Sequence, residues 1–117
     1  MSQRQQRVAE LLRAELSELL LFRLKDPRIQ LATIAGIEVS GDLRHARVRI
    51  SVLGEEEQRQ GAIEALRHAA GFIRSQLGKR LRLRATPELT FVLDRGAEHS
   101  QKMTEILESL HAGDQNS

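Results

Sequence analysis

The 117-residue chain has no cysteine, no tryptophan, no tyrosine and only two prolines. Without cysteine there is no disulfide framework, no thiolate nucleophile and no thiolate zinc site. Three phenylalanines are its only aromatic residues, which argues against a platform of rings on which successive RNA bases stack. Long apolar runs are missing too. The longest near the start, Leu19-Leu20-Leu21-Phe22, is far short of the ~20 residues needed to cross a bilayer. The opening Met1-Ser2-Gln3-Arg4-Gln5-Gln6-Arg7 is not followed by the apolar stretch of a signal peptide. A cytoplasmic location is the expectation.

Catalytic patterns are equally scarce. The histidines His45, His68, His99 and His111 show no metal-ligand spacing, and there is no H-E-x-x-H, Walker A, G-x-S-x-G or G-x-G-x-x-G pattern. Glu55-Glu56-Glu57 reads as a solvated helix start rather than a cation site, because metal sites need convergent ligands. Asp94 reads as a strand-end turn residue with no catalytic partner in view. The expectation is a non-enzyme with no metal and no cofactor.

What is present is a core and an arginine bias. Hydrophobic residues make up 40% of the chain, enough to fold one domain and too many for an ordinary disordered chain. There are 18 Lys+Arg against 16 Asp+Glu, and 15 of those cations are Arg, the side chain best suited to bidentate phosphate contact. From Ala65 to Pro87 six cations (Arg67, Arg74, Lys79, Arg80, Arg82, Arg84) occur with no acid among them.

Periodicity gives the element order. Val8, Leu11, Leu12, Leu16, Leu19 and Leu20 form one stripe of a helix over about Ser2 to Lys25, stopped by Pro27. Thr33, Ile34, Ile37 and Val39 suggest a strand loosened near Gly36, and Ser40-Gly41-Asp42 a turn. Ala46, Val48, Ile50 and Val52 then alternate with His45, Arg47, Arg49 and Ser51, the clearest strand in the chain. A helical region after Gly54 carries Ile63, Leu66, Ile73, Leu77 and Leu81 and is interrupted at Ala69-Ala70-Gly71. Leu89, Phe91 and Leu93 mark a third strand. Met103, Ile106, Leu107 and Leu110 mark a last helix after Gly96. This α-β-β-α-α-β order with a terminal helix predicts an α+β domain, helices on one face of a small sheet.

On a helix over 71–84, Arg74, Gly78 and Arg82 form a stripe at i, i+4 and i+8 beside the core face. The two guanidinium stems are then about 12 Å apart along the axis. Gly78 leaves a bare spot for a close approach, and Lys79 lies further round the polar face. Arg80 runs along apolar surface with its head in water, and Arg84 extends the charge past the helix end. A solvated face is the ordinary explanation of a charge run. Here no acid interrupts the cations, so intrahelical pairing is not their main purpose and contact with nucleic acid or another polyanion is favoured. Glycine inside a helix costs about 1 kcal/mol relative to alanine, so Ala69-Ala70-Gly71 is either tight packing on the sheet or a functional kink, with little to choose between them. Arg44, Arg47 and Arg49 surround the second strand, where charge for solubility is slightly the better explanation. Arg28 is an isolated cation beside the Pro27 turn.

At these residues the sequence resembles the ribosome-binding factor A family. The likeness is carried by Lys25-Asp26-Pro27-Arg28, by Glu38-Val39-Ser40-Gly41-Asp42-Leu43-Arg44-His45-Ala46, by Val52-Leu53-Gly54, and by Ala70-Gly71-Phe72-Ile73-Arg74-Ser75-Gln76-Leu77 running on to Pro87-Glu88-Leu89. It spans about Arg4 to Leu110. The resemblance implies a single type II KH-like domain over 1–112 with a three-stranded sheet, followed by a short tail over 113–117. It implies that the interhelical kink Ala69-Ala70-Gly71 replaces the G-x-x-G loop of other KH domains. It further implies a monomeric, non-enzymatic factor of the small ribosomal subunit and its rRNA, acting in late maturation and rRNA processing, important in the cold, with other assembly factors as further partners. The candidate RNA-binding residues are Arg28, Arg44, Arg47, Arg49, Arg74, Lys79, Arg80, Arg82 and Arg84. The chain departs from the family where Gly41 replaces a frequent proline and Arg49 an aromatic or apolar residue, and its tail is short. The alternative is a KH-like protein-interaction module whose arginines meet acidic protein surfaces.

Overall fold

A computed structural model describes residues 1–83 and 85–96 of the chain. Arg84, the terminal helix expected after Gly96 and the 113–117 tail lie outside the described residues. Helix α1 spans Gln3–Glu18. Ser2 caps it: the Ser2 hydroxyl accepts from the Gln5 N–H at 3.2 Å, and the Gln5 side chain accepts from the Ser2 N–H at 2.6 Å, a reciprocal capping box. The expected helix to Lys25 is interrupted earlier. Leu19–Arg23 form a π-helical turn closed by the Leu24 N–H on the Leu19 carbonyl. Leu19 and Leu20 stay on the buried stripe continued from α1, while Leu21 and Phe22 stand in solvent. Pro27–Ile29 make a 3-10 turn capped by Asp26.

Strand β1 spans Ala32–Val39 and β2 spans His45–Val52, paired antiparallel. The looseness anticipated near Gly36 is a β-bulge: Ile34 pairs with Ile50 and Gly36 with Arg49, so Ala35 is the extra residue. The bulge explains why the apolar spacing on β1 slips from two to three between Ile34 and Ile37. Helix α2 (Glu56–His68) and helix α3 (Ala70–Arg80) then cross over to β3 (Glu88–Leu93), which lies parallel to β2. A parallel pair needs a crossover of a dozen or more residues, and 53–87 supplies it. The sheet order is β1-β2-β3.

One face of the sheet is buried. Ile34, Ile37, Val39, Ala46, Val48, Ile50, Leu89 and Phe91 pack with Leu12, Leu16 and Leu19 from the α1 region and Leu66, Ile73 and Leu77 from α2 and α3. Side chains also occupy both free edges of the sheet. The Gln5 amide donates to the Val39 carbonyl at 2.7 Å and Arg13 to the Ile34 carbonyl at 3.1 Å. On the other edge Arg67 donates to the Phe91 carbonyl at 3.3 Å. Edge carbonyls with partners are unavailable to another chain's strand.

Candidate nucleic-acid interface

Helix α3 ends at Arg80, and its C-cap Leu81 is already extended (φ −101°, ψ 131°). This corrects the helix expected over 71–84: Arg82 does not continue a stripe with Arg74 but lies in the loop between α3 and β3 (81–87, of which 81–83 and 85–87 are described). That loop folds back along α3. Thr86 reaches Gly78, where a Cβ would sit 3.1 Å from its hydroxyl, and Arg74 donates to the Thr86 carbonyl at 3.1 and 3.4 Å. The bare spot at Gly78 is therefore filled by the chain itself.

The candidate cations separate by what they touch. Arg80 is not free. Its guanidinium lies 3.2 Å from both Glu15 and Glu18 on α1, with its side chain 20% exposed, and the hydrogen bonds to Glu15 and then Glu18 push its pKa further up. The acids missing from the local sequence are supplied by another helix. Arg28 forms a two-point pair with Asp26, at 3.1 and 2.8 Å, which holds the Asp26 carboxyl below its ordinary range. Arg49 lies across Gly36, with Glu38 at 3.2 Å and Asp94 at 3.9 Å. It ties all three strands together from the open face.

Arg47 is exposed on that same open face, opposite Glu38 in register. Counting Arg47 and Arg49 against Glu38, Glu88 and Asp94, the open face has no cationic excess among the described residues. The helix side differs. Arg74, Lys79 and Arg82 are exposed, and neither α3 nor loop 81–87 contains an acid. Among the described residues no ion pair involves Arg44, Arg74, Lys79 or Arg82. The Arg74 contact with a carbonyl orients the guanidinium while leaving its charge uncompensated.

Arg44 also borders a groove, together with Arg4. Loop 81–87 meets the β1–β2 turn and the start of α1 around a space of about 680 Å³ whose lining includes Arg4, Leu43, Arg44, Leu83, Ala85 and Pro87. The structure thus places Arg4 and Arg44 on one groove, and Arg74 touches the same loop through the Thr86 carbonyl. Sequence reasoning missed Arg4, because a lone arginine in a first helical turn carries no local signal.

The break between α2 and α3 falls at Ala69 (φ −84°, ψ −2°), with Ala70 starting α3. Gly71 is exposed, and a Cβ built on it meets nothing within 4 Å. Close packing within the fold therefore does not account for this glycine. Phe72 beside it is 50% exposed. Both stand open to solvent at the head of α3.

An α-β-β-α-α-β chain, with a mixed three-stranded sheet, helices over one face and a helix–helix break in place of a G-x-x-G loop, defines a KH-like domain. The family model of ribosome-binding factor A matches residues 4–107, and the chain belongs to that family. It is 43% identical over 119 residues to the ribosome-binding factor A of Caldanaerobacter subterraneus subsp. tengcongensis, covering 99% of this chain and 98% of that one. It is 41% identical over 113 residues to that of Natranaerobius thermophilus, covering 97% and 86%. The crystal structure of ribosome-binding factor A from Thermus thermophilus superposes with a TM-score of 0.70 at 30% identity, over 79% of this chain and 97% of that one. A Thermus thermophilus homology model fitted into the cryo-EM map of a 30S complex superposes with a TM-score of 0.56 at 33% identity, over 72% and 92%. The family is one of ribosome assembly factors, not of enzymes.

Proposed function

We propose that this protein is a cytoplasmic, monomeric assembly factor that binds the free small (30S) ribosomal subunit through its rRNA. The observation that carries the reading is a set of exposed cations without ion pairs among the described residues: Arg4 and Arg44 on the groove, Arg74 and Lys79 on α3 and Arg82 in the loop after it, with Asp42 the one acid among the described groove-lining residues. Family membership supports it, since the Thermus thermophilus relative is described in a 30S complex. Five such cations suit a phosphate backbone. The exposed Gly71 and Phe72 at the head of α3 let RNA approach the Ala69-Ala70-Gly71 break closely. Such a factor acts by binding one conformation of the subunit more tightly than another, shifting the population toward it. The steps served are late subunit maturation and rRNA processing, most needed in the cold, where misfolded RNA conformers escape slowly.

Sucrose-gradient sedimentation of the tagged protein with purified small, large and joined subunits tests this. The protein should travel with the free small subunit and scarcely with the others, and excess naked rRNA should compete. Equal recovery with large subunits refutes the assignment. Small-subunit recovery that naked rRNA does not reduce supports the protein-interaction alternative instead.

A further inference from the structure

We infer that the groove between α1, the β1–β2 turn and loop 81–87 receives one unpaired nucleotide of the bound RNA, the base on its apolar floor and its two flanking phosphates on Arg4 and Arg44. The inference rests on the proposed RNA-binding reading. The floor is Leu43, Leu83, Ala85 and Pro87, and the two arginines are exposed beside it. The volume of about 680 Å³ lies within the range of small-ligand sites. Two guanidinium groups beside an apolar strip match a nucleotide, which pairs an anionic phosphate with a flat, weakly polar base.

The one acid among the described lining residues is already engaged. Asp42 accepts from the Ser40 hydroxyl at 2.6 Å and from the Arg44 N–H at 3.0 Å, and those bonds hold its pKa low. The groove keeps a net positive charge with Asp42 ionised. A second observation concerns the backbone. Leu43 has φ +63°, the only positive φ at a non-glycine residue among those described. A leucine in the left-handed region is strained, and this one is held there by the Ser40–His45 turn, whose Ser40 carbonyl accepts from the Leu43 N–H at 2.9 Å. Glycine would relieve the strain. The leucine instead contributes a half-buried apolar side chain to the groove lining.

The test uses the full chain and two mixed-sequence RNA hexamers, one with a central 2-aminopurine and one abasic at the same position. The wild type should bind the first about tenfold more tightly, the scale of burying part of one base, with a change in 2-aminopurine fluorescence. Leu43→Gly, which removes the side chain and the strain together, should erase that preference. Arg4→Glu with Arg44→Glu should weaken both hexamers about tenfold or more, the loss expected from two phosphate contacts. Circular dichroism confirms that each variant is folded. Equal affinity for the two hexamers in the wild type, or a Leu43→Gly variant that keeps the preference, overturns the inference. Failure of the wild type to bind small subunits would instead overturn the RNA reading on which it rests, so the two failures are distinguishable.

Discussion

Replacing Arg74 and Arg82 together with Glu lowers small-subunit affinity about a hundredfold, the scale of two lost phosphate contacts plus the repulsion of two new carboxylates. Thermal stability changes little. Arg82 is exposed with no ion pair among the described residues, and Arg74 gives up an exposed hydrogen bond to the Thr86 carbonyl, worth about 0.5–1.5 kcal/mol. Salt dependence gives a second readout. If the five cations each neutralise one phosphate, the duplex-DNA relation gives a several-hundredfold loss of affinity between about 50 and 200 mM salt. With three contacts left the same rise costs about fortyfold. Binding titrations at these salt concentrations measure both effects. A double variant with normal affinity and an unchanged salt slope would move the contact surface away from α3 and its loop.

Phe91→Ala unfolds the protein far more readily and says nothing specific about RNA. Phe91 is 1% exposed, on β3 beside Val48 of β2, and its ring lies in the buried core. Truncating a buried Phe costs about 3–5 kcal/mol, because apolar transfer energy is lost and a cavity remains. In a domain of about 100 residues each kcal/mol shifts the melting temperature by roughly 4–8 °C, so a fall of about 20 °C is expected by calorimetry. A shift of only a few degrees would mean that β3 is not packed as described.

The two variants separate what was legible in the sequence from what was not. The strands read clearly because their side chains face one core: Ala46, Val48, Ile50 and Val52 on β2 alternate without a break, and all four are buried. Gly36 showed a loosening, and the bulge at Ala35 is its structural form. The break at Ala69 was legible as a run of small residues, but its reason was not. Close packing at Gly71 was one expectation, and the open space around it removes that explanation.

The candidate site was legible only in part. Arg80 and Glu15 are 65 residues apart in sequence, and no periodicity within one helix can announce a pair between two. Arg49 likewise meets Glu38 and Asp94 only once β1, β2 and β3 lie side by side. The end of α3 at Arg80 was hidden because Leu81 keeps the apolar spacing of the helix, although its backbone is extended. Loop 81–87 then packs back on Gly78, which the sequence offered as an empty place. Arg44 and Arg74 both adjoin that loop, Arg44 across the groove and Arg74 through the Thr86 carbonyl, a relation set by tertiary structure.

The α3 side, and not the open face of the sheet, is the surface expected to meet rRNA. The absence of cysteine makes a direct test clean, since one introduced cysteine is the only thiol in the chain. Ser75→Cys on α3, Gly41→Cys in the β1–β2 turn and Thr33→Cys on the open face are all at exposed positions, and each can carry a contact-range benzophenone crosslinker. Irradiation of each labelled protein bound to small subunits should crosslink rRNA from Ser75→Cys and Gly41→Cys and leave Thr33→Cys unlinked. Crosslinking to rRNA from Thr33→Cys alone would contradict this placement and put the interface on the open face of the sheet.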